Sequence, residues 1–248
     1  MSQKKNLKLI IEYDGTNFLG WQVQKSGRTV QGEIEFAFRK IFNTNKISLI
    51  ASGRTDSGVH AKAQYANIKL MTDMDTKQIQ KAINGNIGKD VYVKICEFVN
   101  ENFHARFNAK IREYRYFITD KYSPLNRNKE WCHSYDLDKE LLKKCSDLII
   151  GEHNFSRFCK ASSDVKSKIC HIYESEWNFN HGSGNYVIKA NRYLQHMVRY
   201  LVGTMLEVSR GRYSITQFKS LLNDKNDDIM VFRAPANGLF LWDVIYDQ

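Results

Sequence analysis

The sequence has little that would attach it to a membrane or a disulfide framework. Its 248 residues include two prolines and five cysteines, with no CxxC pair. An odd number of cysteines fits free thiols in a reducing compartment. No apolar run is long enough to span a bilayer, and the short run near the N-terminus is broken by Glu12 and Asp14. We therefore expect no signal peptide and no membrane segment, and we predict a cytoplasmic protein.

The motifs of several common enzyme classes are also absent. The sequence contains no P-loop, dinucleotide-binding fingerprint, HExxH, GxSxG or EF-hand pattern. The GSG at 182–184 is typical of a hairpin turn, because no helical pattern follows it. His60 and His104 lack the spacing of metal ligands. We therefore expect a chemistry that needs no metal and no cofactor.

Negative charge is in short supply. Lys and Arg outnumber Asp and Glu by 37 to 27, which gives a formal net charge of +10. Such an excess favours a polyanionic partner, although a soluble basic protein would show the same balance. Thirteen tyrosines and fourteen phenylalanines favour a nucleic acid as this partner, because aromatic rings beside cations can stack on unpaired bases.

The hydrophobic periodicity predicts an α+β fold with antiparallel sheet. Alternating segments predict strands, and a 3.6-residue period predicts helices. Strands are predicted at 6–14, 47–52, 61–70, 91–99, 112–118, 186–190 and 238–247, and helices at 29–42, 138–150, 193–208 and 215–222. The segment 120–135 is the most linker-like, so we predict two domains, at 1–120 and 121–248.

Two similar heptapeptides raise the question of a repeat. SGRTVQG occupies 26–32 and SGRTDSG occupies 52–58. Thr29 in the first copy is a predicted helix N-cap, whereas Gly53 and Gly58 in the second copy bracket a loop between two strands. Because the flanking structures differ, we interpret the likeness as shared turn chemistry and not as a duplication.

The second heptapeptide adds an acid, Asp56, to a basic setting. Arg54 and the backbone N–H groups of a tight loop would favour the ionised form of this carboxylate. An ionised carboxylate suits a nucleophile or a stabiliser of positive charge better than a general acid. Taken alone, the segment favours a structural role for Asp56, because an Asp between glycines commonly caps its own loop.

Two further segments carry candidate residues. His196, Arg199 and Gly203 have the spacing of one face of the late helix, which would let Arg199 meet a carboxylate or a phosphate and Gly203 meet a close neighbour. The stretch from 103 to 118 interleaves aromatic residues with cations and is typical of nucleic-acid binding. Its basic members are His104, Arg106, Lys110, Arg112 and Arg115, and Tyr114 and Tyr116 share one predicted strand face.

Taken together, these segments resemble the tRNA pseudouridine synthase A family. The resemblance extends over nearly the whole chain, in the order EYDGTNFLGWQ, TVQGEIE, GRTDSGVHA, FHARF, REYRYFI, GEHNFSRF, HMVRYLVGTMLEV and APANGLFLWDV. The GRTDxGVHA motif is highly specific. The chain differs from the family pattern at Tyr200, where Asn is common, and at Asn237, where an acid is common.

The resemblance implies a fold, a reaction and a set of site residues. The fold would be two similar ferredoxin-like or RRM-like halves whose antiparallel sheets join across a basic central cleft. A homodimer would convert uridine to pseudouridine at positions 38, 39 and 40 in the anticodon stem-loop of tRNA, with one aspartate and no cofactor. The implied catalytic residues are Asp56 as nucleophile, Arg199 as its partner and Arg54 as an aid to base flipping; the implied substrate contacts are Tyr114, His60, Arg106, Arg112 and His196.

Two other functions fit the residues less well. A non-catalytic RNA-binding module would have no evident use for an acid in an RNA-facing loop, because Asp56 would repel phosphates. A nucleoside or glycoside hydrolase would usually need two carboxylates at a defined separation, and the Asp56 motif contains one. Whether Asp56 attacks C1′, attacks C6 or removes a sugar proton is open at this point.

Overall fold

A computed structural model describes residues 3–160, 165–180, 182–222 and 229–247. Within these ranges the strands are β1 (Gln3–Tyr13), β2 (Ile50–Ala51), β3 (His60–Thr72), β4 (Val91–Val99), β5 (Ala109–Thr119), β6 (Trp131–Cys132), β7 (Gly151–Asn154), β8 (Ile169–Asn180), β9 (Ser183–Ala190) and β10 (Leu239–Tyr246). The helices are α1 (Val30–Phe42), α2 (Thr76–Asn84), α3 (Lys139–Leu148), α4 (Met197–Ser209) and α5 (Ile215–Leu221), with a 3-10 turn at Ser156–Phe158. The predicted α+β class with antiparallel pairing is confirmed.

The chain forms two compact units. The first unit is Met1–Lys110 with Leu241–Gln248, and the second is Ile111–Phe240. The units therefore change at 110/111, ten residues before the boundary predicted after residue 120, and the last strand returns to the first unit from Leu241 onward. The division into domains at 1–120 and 121–248 stays a prediction.

The first unit is a sheet covered by two helices. Its strands lie in the order β4–β1–β3–β10, with β2 beside β3. Leu7, Leu9 and Ile11 of β1 are fully buried, as their alternation predicted, because successive strand residues point to opposite faces. The buried side chains of α1 include Ile34 and Phe38. The core of this unit is therefore built from alternate residues of its longest strands and one face of each helix.

The helix boundaries of the first unit follow capping chemistry. The Thr29 side chain accepts a hydrogen bond from the Gly32 N–H at 3.3 Å, so the predicted N-cap of α1 is confirmed. Helix α2 was not predicted, although Asp75 and Gln78 form a reciprocal capping box at its start. Its nine residues carry two buried apolar side chains, Ile79 and Ile83, which is a weak periodic signal.

The second unit contains the sheet order β5–β9–β8–β7, with β6 pairing in parallel with β5. Gly182 has a φ of +86° in the turn between β8 and β9, which confirms the predicted hairpin. Tyr116 and Tyr186 lie opposite each other on β5 and β9, and both are fully buried. Helices α3 and α5 each pack against α4. Leu142 and Cys145 of α3 are fully buried, as is Ile149 directly after the helix.

Helix α4 differs from its prediction in two ways. It begins at Met197, because His196 is its N-cap residue with a left-handed φ of 67°. The predicted helix face shared by His196, Arg199 and Gly203 is therefore wrong for His196. The helix is also buried on nearly every side, with Tyr200 the one residue of its thirteen outside the buried set. A Cβ added to Gly203 would lie 2.2 Å from the Phe232 carbonyl oxygen, which confirms a close backbone neighbour.

We expect Gly203→Ala to destabilise the protein. Alanine gains about 1 kcal/mol of helix propensity over glycine, but the added methyl meets backbone atoms of Phe232 and Ala234 that cannot rotate away. Overpacking of this kind costs about 1–3 kcal/mol or more, so the free energy of unfolding in urea should fall. Gly53→Ala is the control, because its Cβ would have no atom within 4 Å. Equal stability of the two variants would contradict the close packing of α4.

Candidate active site

The loop that carries Asp56 joins β2 to β3 in the first unit. β2 pairs with β3 at Ile50 and Ala51, which is shorter than the strand predicted at 47–52. Gly58 has a φ of +78°, and the Val59 N–H donates to the Asp56 carbonyl at 3.2 Å. The prediction of a glycine-bracketed loop between two strands is therefore confirmed. Within it Asp56 is half-buried, and Arg54 is exposed.

Buried side chains of the sheet hold the base of this loop. The Ser52 hydroxyl donates to Gln64 Oε1 at 2.7 Å, and Gln64 Nε2 donates to the Gly53 carbonyl at 3.0 Å. The Thr55 hydroxyl and the Tyr13 hydroxyl share a buried hydrogen bond of 2.7 Å. Burial raises the pKa of Tyr13, so its hydroxyl stays protonated. These bonds fix the residues immediately before Asp56.

A second loop, residues 14–29, packs on the Asp56 loop backbone to backbone. The Trp21 N–H donates to the Thr55 carbonyl at 3.1 Å, and the Gly58 N–H donates to the Phe18 carbonyl at 3.2 Å. Gly20 has a φ of +92°, and a Cβ there would lie 2.6 Å from the Thr55 carbonyl oxygen. Such a close approach admits only glycine. The residues on both sides of Asp56 are therefore fixed by the EYDGTNFLGWQ segment.

This scaffold was not identified from the sequence, which supplied the segment only as part of the family resemblance. The closely spaced glycines, Gly15 and Gly20, were the available signal. A Cβ at Gly15 would lie 2.0 Å from the Val59 carbonyl oxygen, so both glycines serve the same contact. The residue that each glycine contacts lies far away in the sequence, so the local sequence does not reveal the contact.

The second loop is in turn anchored to helix α1. The Leu19 N–H donates to the Arg28 carbonyl at 2.9 Å. The Arg28 guanidinium pairs with Glu33 at 2.7 Å and with Asp90, and it lies 4.3 Å from the centre of the Phe18 ring. The hydrogen bonds that Arg28 donates to Asp90 and then to Glu33 raise the pKa of Arg28 further. Arg28 of the first heptapeptide thus stabilises the 14–29 loop, which packs against the second heptapeptide.

His60 stands at the junction of the two loops. It is 1% exposed, and its Nδ1 accepts a hydrogen bond from the Gly15 N–H at 3.0 Å. Asp14 Oδ1 lies 3.2 Å from the same nitrogen. This burial favours a scaffolding role for His60 over the RNA contact that the sequence predicted.

The other predicted residues lie in different parts of the fold. In the second unit Arg199 is 9% exposed, and its Nε donates to the Ala234 carbonyl at 2.8 Å. Burial raises the pKa of the neighbouring Tyr116, and the positive charge of Arg199 partly opposes that rise. The Tyr116 hydroxyl donates to the Pro235 carbonyl at 2.8 Å. Arg199 is therefore a buried cation held in place by the APA segment, in contrast to an ordinary solvated helix arginine.

Tyr114 is supported by a residue that the sequence did not suggest. Its ring packs edge-on against Tyr193, with centroids 5.1 Å apart and an interplanar angle of 84°. The Tyr193 hydroxyl reaches the Arg112 carbonyl at 3.1 Å and the Ile188 carbonyl at 2.9 Å. Arg112 Nη1 donates to the Asn191 carbonyl at 2.7 Å. Tyr193 thus fixes the ring plane of Tyr114.

Each unit contains four of the eight predicted site residues. Asp56, Arg54, His60 and Arg106 belong to the first unit, and Tyr114, Arg112, His196 and Arg199 belong to the second. Within the described ranges, no group of three or more His, Cys, Asp or Glu side chains could hold a metal ion. None of the helices that the structure describes has the length and hydropathy of a membrane span.

The comparisons with known proteins define the class to which this antiparallel α+β protein belongs. The family model described as tRNA pseudouridine synthase matches residues 9–108 and 146–247. The chain belongs to the tRNA pseudouridine synthase family. It is accordingly an isomerase that forms pseudouridine.

Individual relatives are similar over nearly their full length. The "tRNA pseudouridine synthase A" of Chlorobium limicola is 42% identical over 243 residues, covering 98% of this chain and all of the relative. The protein of the same name from Bacillus pumilus is 37% identical over 245 residues, covering 98% and 99%. A solved structure titled "Crystal Structure of a Cbf5-Nop10-Gar1 Complex" aligns with a TM-score of 0.34 and 11% identity, over 80% of this chain and 53% of that one, which is too low to support an argument.

We expect Gly20→Ala to slow pseudouridine formation. The methyl would force the Thr55 carbonyl away and shift the backbone of Asp56, and a displacement of about 1 Å at reacting groups can cost on the order of 100-fold in rate. The kcat on tRNA should fall at least about tenfold, while KM changes little.

Gly211→Ala is the matched control for Gly20→Ala. Gly211 also has a positive φ, +75°, but a Cβ there would have no atom within 4 Å. It therefore reproduces the backbone strain without the contact. If both variants lose the same activity, the strain alone explains the loss and the loop contact does not position Asp56.

Proposed function

We propose that this chain converts uridine to pseudouridine at positions 38, 39 and 40 in the anticodon stem-loop of tRNA, with Asp56 as its one catalytic carboxylate. The observation that supports the role of Asp56 is its loop, which is hydrogen-bonded to the sheet on one side and to the 14–29 loop on the other. Catalytic groups gain their advantage from such fixed placement.

The reaction itself needs a carboxylate and no redox step. The N1–C1′ bond of the uridine breaks, the uracil turns, and C5 bonds to C1′; C5 then loses its proton and N1 gains one. Asp56 acts by attacking C1′, by attacking C6 or by removing a sugar proton to form a glycal. All three routes use a carboxylate, and Asp56 is the one acid of its loop.

The base must leave the stem before it reacts, and extrusion of a nucleotide costs a few kcal/mol. Arg54, exposed on the same loop as Asp56, is proposed to displace the target nucleotide. Tyr114, whose ring is fixed by Tyr193, is proposed to stack on the uracil. Arg106, Arg112 and His196 are proposed RNA contacts.

Arg199 is the proposed partner of Asp56. A charge-assisted pair is stronger in a buried, low-dielectric position than in water, and Arg199 is a buried cation oriented by the Ala234 carbonyl. In the proposed enzyme the two units are similar ferredoxin-like halves. The working form is proposed to be a cytoplasmic homodimer.

Membership of the synthase family argues against the two alternative functions, a non-catalytic RNA-binding module and a hydrolase. A non-catalytic RNA-binding module would bind tRNA without turnover, and a hydrolase would release free uracil. Incubation of tRNA with the protein, followed by assays for pseudouridine and for free uracil, separates the three activities.

We expect Asp56→Asn to abolish the reaction without abolishing binding. The amide keeps the size of the side chain but removes the charge that every proposed route uses. Pseudouridine mapping should show modification at 38, 39 and 40 with the native protein and none with the variant, at similar tRNA affinity. Asp73→Asn is the control, since it makes the same change at an exposed acid of the same unit. Residual turnover above a few per cent would reject Asp56 as the essential group.

We expect Arg199→Lys to lower kcat at least about tenfold, because an ammonium keeps the charge but cannot make the two-pronged pairing of a guanidinium. Arg157→Lys is the matched control. Arg157 is another part-buried arginine of the second unit that donates to a backbone carbonyl, that of Ile229, at 3.1 Å. Thermal melting of both variants accompanies the kinetics. Equal losses of activity and of melting temperature in the two would assign Arg199 a structural role only.

A further inference from the structure

The segment between β4 and β5 forms a tight turn at residues 103–108. The His104 N–H donates to the Asn108 side chain at 2.6 Å, and the Asn108 N–H donates to the His104 carbonyl at 3.0 Å. His104 Nδ1 in turn accepts from the N–H groups of Arg106 and Phe107, each at 3.2 Å. The side chain at the start of the turn therefore fixes the backbone at its end.

Buried amides of the sheet hold this turn from below. Asn6 and Asn67 are 3% and 2% exposed, and Asn67 Nδ2 donates to Asn6 Oδ1 at 2.9 Å. Asn6 Nδ2 donates to the Phe103 carbonyl at 2.9 Å, and the Ala105 N–H donates to Asn67 Oδ1 at 2.8 Å. Burying two side-chain amides without hydrogen-bond partners would cost free energy of folding. The backbone groups of the turn supply these partners.

The C-terminal strand adds a further anchor. The Tyr246 hydroxyl donates to the Ala105 carbonyl at 2.7 Å, and its ring lies between those of Phe103 and Tyr65, at 5.3 Å from each. The turn is thus attached to three strands of the first unit, β1, β3 and β10. Its outer surface is held far more firmly than that of an ordinary exposed loop.

What this rigid turn presents outward is an aromatic ring. Phe107 is 75% exposed, and its ring stacks on that of His104 with centroids 4.2 Å apart and planes at 27°. The Arg106 guanidinium carbon lies 5.8 Å from the centre of the Phe107 ring. One face of the Phe107 ring is thus backed by His104 and a cation stands beside it, which is the arrangement that stacks bases in single-stranded RNA.

We propose that Phe107, stacked on His104 and flanked by Arg106, is a platform on which a nucleobase outside the paired stem of the RNA substrate stacks. It is separate from the loop of Asp56 and contributes to binding, not to the reaction. An RNA occupant is favoured over an apolar protein surface by the adjacent guanidinium and by the net charge of +10. The proposal rests on the proposed function, since it takes RNA as the ligand.

The experiment compares five variants, one of which is Arg106→Ala, by fluorescence titration. Phe107→Ala and Phe107→Leu remove the aromatic face, whereas Phe107→Trp keeps it. Phe36→Ala is the control, because Phe36 is another exposed phenylalanine of the first unit, at 62%, on helix α1. The probes are an unmodified tRNA transcript and an RNA duplex of similar length without unpaired bases. Dissociation constants, KM and kcat are measured for each variant.

We expect Phe107→Ala and Phe107→Leu to weaken tRNA binding about tenfold, the range of a lost base-aromatic stack. Phe107→Trp and Phe36→Ala should bind within about twofold of the native protein. The variants should bind the duplex like the native protein and should retain its kcat at saturating tRNA. Arg106→Ala should reduce the slope of binding against salt by about one, whereas Phe107→Ala should leave that slope unchanged.

Three results would overturn the platform. Native affinity in Phe107→Ala would exclude any contact with the RNA. Native affinity in Phe107→Leu would show an apolar contact without stacking. A change of oligomeric state in Phe107→Ala, seen by sedimentation, would assign the ring to an interface between copies of the chain. Because binding is measured without turnover, failure of the platform is distinct from failure of the proposed function, which would appear as missing pseudouridine with the native protein.

Discussion

The contact between two glycine-containing loops is the constraint on which the candidate site depends. Asp56 lies on a short loop whose base is hydrogen-bonded to the sheet through Ser52 and Thr55. The 14–29 loop packs against it through backbone hydrogen bonds, and that approach is possible because Gly20 has no Cβ. The contact between the two loops is made mostly by main-chain groups, and the Ser57 hydroxyl adds a hydrogen bond to the Phe18 carbonyl at 3.2 Å.

The two heptapeptides illustrate how one set of turn residues serves two purposes. In the first, Thr29 caps helix α1 and Arg28 ties the loop to Glu33 and Asp90. In the second, the same letters lead into a loop with an acid. The first heptapeptide therefore stabilises the 14–29 loop, and that loop packs against the second heptapeptide. The local backbones of the two copies nevertheless differ. Gly27 has a φ of +87°, whereas its counterpart Gly53 has no positive φ, and Gly58 has a φ of +78°, whereas its counterpart Gly32 lies in helix α1.

The two aromatic residues that are proposed to stack on bases of the RNA differ in burial. Tyr114 is buried against Tyr193 in the second unit, whereas Phe107 stands exposed on a braced turn of the first. Family membership establishes a pseudouridine synthase. The proposed mechanism adds that one carboxylate performs the chemistry, while arginines and rings distributed over both units hold the RNA.

The sequence by itself determined the elements whose signals are local. The alternation of Leu7, Leu9 and Ile11 and the cap at Thr29 depend on neighbouring residues only, and both were predicted correctly. Tertiary structure alone decided that His196 ends outside helix α4 and that Arg199 is buried. It also decided that Gly20 faces Thr55, thirty-five positions away. A periodic pattern in the sequence shows which face of a helix or strand is apolar. A contact between two backbone segments distant in sequence leaves no such pattern, because the segments meet only when the chain has folded.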